Sequence, residues 1–239
     1  LNNIGGTITG GPGDRGNITL MVGGNLSSQN LSLLLANNAG GNIGGTGGNI
    51  SVTTGGDFTT SGDATFTIQN TTGTINDGGN ITLVTGGSIS TGGELNLLVE
   101  NYNETANPAG HIGTGGNLSL TTGGNLTADF ASIAINNRGG GMIDSGVTLN
   151  VDIGGALTTL ENGPDFLGNT ASLSVAISTR YDDTSGNTQK SVIGGDATLN
   201  LHADSAAIGG NLSVVLRDRG GTLGVNAHLN FNVAHDVQF

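Results

Sequence analysis

The sequence predicts an all-β parallel β-solenoid, and three observations carry the prediction. One short cadence returns about every 31 residues, apolar residues within each unit alternate at period two, and glycine (46 of 239 residues) gathers with asparagine between the alternating stretches. A repeat of this length buries its apolar face only against its neighbours. Period-two alternation marks half-buried strands, and no 11-residue window offers the i, i+3, i+4, i+7 stripe of a helix. With 3 prolines beside so much glycine, a collagen triple helix is excluded.

Each unit opens with a short strand. Asn17-Ile18-Thr19-Leu20, Asn49-Ile50-Ser51-Val52, Asn80-Ile81-Thr82-Leu83 and Asn117-Leu118-Ser119-Leu120 are successive copies, with weaker ones from Thr148 and Thr198 and a partial one from His228. The starts near 17, 49, 80, 117, 148, 198 and 228 are 32, 31, 37, 31, 50 and 30 residues apart, which places insertions in the third and fifth units. A corner follows, Gly23-Gly24-Asn25-Leu26 and its counterparts at Gly55, Gly86 and Gly123. The glycine pairs are expected to supply positive-φ corners and close coil approach.

The third piece is a longer alternating strand: Leu31, Leu33, Leu35; Phe66, Ile68; Leu95, Leu97, Val99; Ile133, Ile135; Leu173, Val175, Ile177; Leu212, Val214, Leu216. The fourth holds a lone apolar residue, Ile43, Ile75, Ile112, Ile143, Ile193 or Leu223, and Ile4 and Ile8 fit the tail of a preceding unit. Four unlike pieces favour one coil per unit over two coils of about 15 residues. Like residues then stack at the strand spacing of ~4.8 Å, and about seven coils rise only ~34 Å. Ile18, Ile50, Ile81, Leu118, Leu149, Leu199 and Leu229 form one expected inward ladder, with Leu20, Val52, Leu83, Leu120, Val151, Leu201 and Phe231 beside it. The recurrent asparagines are expected to stack as amide ladders at the turns. Residues 1–239 read as a single solenoid, opening inside a repeat as a segment of something longer. Without a visible cap at either end, end-to-end association is expected.

Composition narrows the function. Hydrophobic residues are 34% and aromatic residues 3%, with no tryptophan, which disfavours a deep apolar ligand pocket. A formal charge of −12 makes nucleic acid and anionic membrane surfaces poor partners. Cysteine is absent, which excludes disulfide scaffolds, thiolate metal sites and cysteine nucleophiles. The greasiest run, Leu31 to Ala36, is strand-sized, so no transmembrane helix is expected.

The Gly-Gly-Asn-(Ile/Leu)-(Thr/Ser)-Leu cadence resembles the shafts of filamentous-haemagglutinin-like adhesins of two-partner secretion. The resemblance covers nearly the whole chain. It implies a right-handed parallel β-helix, a large parent protein and a secreted or bacterial cell-surface location. The chain carries no Asn-Pro-Asn secretion motif and no toxin-like domain, so the resemblance is to shaft.

Candidate sites are few. Ten Asn-X-Ser/Thr sequons occur, at Asn17, Asn25, Asn30, Asn49, Asn70, Asn80, Asn103, Asn117, Asn125 and Asn211. Most arise from the repeat itself, because asparagine starts a strand and alternation turns a hydroxyl outward two residues later. Asn103 lies in an insertion and is the glycosylation candidate. The insertions, Glu100 to His111 and Tyr181 to Lys190, both follow the third strand and are expected on one side of the solenoid, two coils or ~10 Å apart. They hold the two tyrosines, so Tyr102, Asn103, Glu104, Tyr181, Asp182 and Asp183 form the candidate ligand-binding set: aromatic rings to stack on a sugar, polar groups to bond its hydroxyls. The competing reading is solvated decoration, with tyrosine covering a coil edge.

Other features weigh less. Thr53-Thr54, Thr59-Thr60, Thr121-Thr122 and Thr158-Thr159 suggest an ice- or surface-binding hydroxyl face. Asp165, Glu161, Asp182 and Asp183 could hold calcium but read better as acidic loops, and no metal or cofactor is expected. His202, Asp204 and His228 are the residues a polysaccharide-active enzyme would need to converge, and no catalysis is expected. Arg217-Asp218-Arg219 reads as a charged turn. The expected function is a structural shaft segment of a surface adhesin, with surface glycans or proteins as partners through the insertions, and a self-associating filament subunit as the alternative.

Overall fold

The computed structural model describes residues 1–8, 16–102, 110–165, 170–180 and 190–239. Among them every regular element is a β-strand, and the ladders joining coil to coil are all parallel. The chain is a parallel β-solenoid of about six turns, with about 33 residues per turn. Ile18 pairs with Ile50 and Ile50 with Ile81, so each repeat unit makes one coil.

Three sheets wrap the interior. The first stacks the unit-opening strands, Ile18–Val22, Ile50–Thr54, Ile81–Thr85 and Leu118–Thr122, onto the longer Val147–Thr159 and Ala197–Ile208 and the final Ala227–Val233. Short strands after the Gly-Gly corner, such as Phe58–Thr60 and Ile89–Thr91, extend it. The second, the long-strand sheet, holds Leu31–Asn38, Ala64–Thr71, Glu94–Tyr102, Phe130–Arg138, Leu173–Arg180 and Leu212–Arg219, with Asn2–Ile4 at its edge. The third sheet is made of short strands around Ile43, Ile75, Ile112, Ile143, Ile193 and Leu223, with Ile8 continuing the row.

Alternation sets which side chains fill the interior. Ile50, Ile81, Leu118, Leu149 and Leu199 are buried in one ladder, and Val52, Leu83, Leu120, Val151 and Leu201 in the next. Both ladders join the long-strand and short-strand apolar rows in one continuous core. The inner members of the first two threonine pairs, and the threonines stacked on them in the next coil, also point inward. Thr54, Thr60, Thr85 and Thr91 are buried, and each hydroxyl donates to the carbonyl of the glycine two residues on. Bonding to the local backbone removes the penalty of burying a hydroxyl.

Asparagine fixes the corners. Asn49, Asn80 and Asn117 each donate from backbone N and from Nδ2 to the Oδ1 of the preceding coil's asparagine, at 2.9–3.2 Å. A second amide ladder runs inside the solenoid. Asn3 donates to Asn37, Asn37 to Asn70, Asn70 to Asn101 and Asn101 to Asn137, at 2.8–2.9 Å. Thr179 and Asp218 extend this row, with Thr179 Oγ1 donating to Asp218 Oδ1.

The structure corrects three expectations. Only some glycine pairs give positive-φ corners: Gly48, Gly79 and Gly116, each the second of a pair just before a unit-opening strand, lie at positive φ, whereas the pairs at 55–56, 86–87 and 123–124 do not. The corner pairs serve close approach instead: a Cβ on Gly86 would lie 2.4 Å from the Gly55 carbonyl oxygen. Arg217-Asp218-Arg219 is the end of a long strand rather than a turn, since it pairs in register with Ser178-Thr179-Arg180. The fifth unit also carries an earlier insertion. Leu160 to Ser172 intervene before the long strand, where other units use one to three residues. Gly163–Pro164 and Thr170–Ala171 pair antiparallel there, and Ser174 Oγ donates to Asp165 at 3.0 Å on the outer face of the long-strand sheet. That face carries a second small apolar cluster, Leu98, Ala134 and Ala176 with Val215.

Candidate functional site

Parallel pairing carries the ends of the long strands to one edge. Tyr102 pairs with Arg138, Arg138 with Arg180 and Arg180 with Arg219, so the four share one outward row. Residue 103 follows Tyr102 and residue 181 follows Arg180. The roots of the two insertions therefore sit on one side, two coils or about 10 Å apart. Asn103, Glu104, Tyr181, Asp182 and Asp183 lie outside the described residues.

Tyr102 is 5% exposed. The Arg138 guanidinium carbon stands 4.3 Å from its ring centroid, and Gln69 Nε2 donates to its hydroxyl at 3.0 Å. Arg138 Nε in turn donates to Glu100 Oε1 at 2.9 Å. Ring face and hydroxyl are thus both engaged, and Tyr102 anchors the root of the first insertion within a cluster that spans three coils.

Two residues before this row runs another, in which Glu100, Asn136, Ser178 and Arg217 are successive partners. Arg138, Arg180, Arg217 and Arg219 are four of the chain's 6 basic residues, in a protein of net charge −12. Like charges on adjacent strands repel, by roughly 1 kcal/mol per neighbouring pair even in a water-like dielectric. Arg217 Nε and Nη2 and Ser178 Oγ are buried without hydrogen-bond partners. Burial, and then the charges of Arg219 and Arg180, lower the Arg217 pKa, with Asp165 opposing. The arginines escaped the sequence reading because they are 42 and 39 residues apart in the chain; the signal was that each closes a long strand.

Of the sequons, Asn17, Asn49, Asn80 and Asn117 are spent in the corner ladder, and Asn70 is fully buried in the inner one. Asn25, Asn30 and Asn125 accept from backbone N–H groups of the next coil, and Asn211 Nδ2 donates to the Thr170 carbonyl. Asn103 is outside the described residues. Outward hydroxyls form two rows, Thr19, Ser51, Thr82 and Ser119, and Ser27, Thr59, Ser90, Thr127 and Thr158, but the row between them reads Met21, Thr53, Val84, Thr121, Asp152 and His202.

His202 bonds Asp152 at 2.9 Å, whereas Asp204 bonds His235 at 2.8 Å, so His202 and Asp204 face opposite neighbouring coils. His228 pairs in register with Thr198. His111 and Asp144 make a third such pair at 2.8 Å. Among the described residues no group of three or more His, Asp or Glu is placed to hold a metal ion, and no helix is long and apolar enough to cross a membrane. Compared with known protein families, curated proteins and solved structures, the chain matches none.

Proposed function

We propose that this chain is a structural shaft segment of a secreted or cell-surface adhesin, and that its insertion side contacts surface glycans or proteins. One observation carries the reading: each sheet runs unbroken from the first coils to the last, with like residues stacked in register. A rod of this kind resists bending because each coil is hydrogen-bonded to both neighbours along its strands. Its outer surface is mostly Thr, Ser and Asn on the first sheet, while the larger side chains gather where the long strands end. The role is geometric, holding a recognition surface at a distance from the cell.

The test is surface labelling. Antibodies raised against the purified solenoid are expected to stain intact cells that make the protein. Staining confined to permeabilised cells would overturn the reading.

A further inference from the structure

We propose an oxyanion-binding site at the ends of the last long strands, formed by Arg217, Ser178 and Arg219 with Arg180 beside them. The ligand class is a carboxylate, sulfate or phosphate group. The proposal rests on the insertion side being the recognition face, and not on the shaft reading.

Buried donors are nearly always paired, and the exceptions call for an explanation such as an ion. Arg217 leaves Nε and Nη2 buried and unpartnered, and its register partner Ser178, 1% exposed, leaves Oγ in the same condition. Nε and Nη2 form one edge of the guanidinium fork, the geometry that pairs two oxygens of one anion. Charge points the same way. Arg180 and Arg219 are register partners one coil apart, and Arg219 stands exposed at the strand end, carrying the positive row out to solvent. Elsewhere the outward rows are largely uncharged, mostly Thr, Ser and Asn on the first sheet and Leu98, Ala134, Ala176 and Val215 on the long-strand sheet, and these stack without repulsion. An anion bound at Arg217 would offset the repulsion between its guanidinium and those of Arg219 and Arg180. The one-coil spacing also suits a polymer bearing one anionic group per unit, laid along the solenoid axis.

The experiment is calorimetric titration of the full chain at low ionic strength, with sodium sulfate in one arm and an oligogalacturonate in the other. Saturable sulfate binding is expected. Arg217→Gln and Arg219→Gln should each weaken it tenfold or more, while His202→Gln on the first sheet leaves it unchanged. Arg219 is exposed, so its variant reports on binding even if Arg217→Gln does not fold. Oligogalacturonate binding that tightens with chain length identifies an acidic polymer as the source. Sulfate binding equal to or stronger than that of the oligomer identifies a free anion. Absence of binding in both arms, or binding unchanged in Arg219→Gln, would overturn the proposal. Surface labelling of cells is independent of either result, so failure here and failure of the shaft reading are told apart.

Discussion

At the residue scale, the decisive side chains are amides that bond their own copies. Asn70 is fully buried, donates to Asn101 and to the Gly73 and His111 carbonyls, and accepts from Asn37. Asn70→Ala would orphan the buried Asn101 oxygen, at roughly 1–3 kcal/mol, while the Asn37 amide keeps the Gly41 and Thr74 carbonyls. Chemical denaturation should show that loss as a lower midpoint with an unchanged slope. Glu94 is a residue working against the fold: burial raises its pKa, the Asp63 charge adds to the rise, and a hydrogen bond with Asn96 only partly offsets it. A raised folded-state pKa means the native protein holds this proton more tightly than the unfolded chain. The charged carboxylate therefore costs stability above the folded pKa, and the cost fades as pH falls through it. Glu94→Gln should melt higher than the parent at pH 7, with the gap narrowing toward pH 4.

At the scale of elements, the corners decide how closely coils stack. A Cβ on Gly86 would meet the Gly55 carbonyl oxygen at 2.4 Å, whereas one on Gly23, in the equivalent corner of the first coil, meets nothing within 4 Å. The same substitution should thus have two outcomes. Gly86→Ala forces coils apart and costs roughly 1–3 kcal/mol, the usual range for overpacking. Gly23→Ala is close to neutral, and thermal melts of the two variants compare them directly. The long strands show a second element-scale effect: their ends align the insertion roots, so chain lengthened there emerges on one side without disturbing the ladders.

At the scale of the molecule, a solenoid has a core only where a coil has neighbours on both sides. Leu199 and Leu201 are 0% and 1% exposed, while their register partners in the last coil, Leu229 and Phe231, are 44% and 41% exposed. Unpaired strand edges beside such apolar rows are templates for further pairing. The polypeptide of residues 1–239 should therefore self-associate with rising concentration. Sedimentation should show heavier species in the parent and fewer in Leu229→Lys/Phe231→Lys. A single concentration-independent monomer would contradict this.

The sequence by itself determined the coil and its period. Copies of Asn-Ile-Thr-Leu spaced near 31 residues, with alternation inside each strand, leave one register that buries the alternating apolar rows, because a one-residue slip turns a whole strand inside out. The corner amide ladder was legible for the same reason, since its asparagines precede each opening strand. The inner ladder was hidden although it has a constant signal, an asparagine two residues after the last inward apolar residue (Leu35 and Asn37, Ile68 and Asn70, Val99 and Asn101). A polar residue gives no sign in sequence that its burial is compensated; the partner is a copy in the next coil. The arginine row was hidden by distance, and the Leu160–Ser172 insertion by the length of the fifth unit, which does not distinguish one insertion from two. Only the tertiary structure decided which glycines are held by conformation and which by contact, where Tyr102 turns its ring, and which charges meet. Those depend on atoms that stacking brings together from different coils, and period-two alternation carries no information about them.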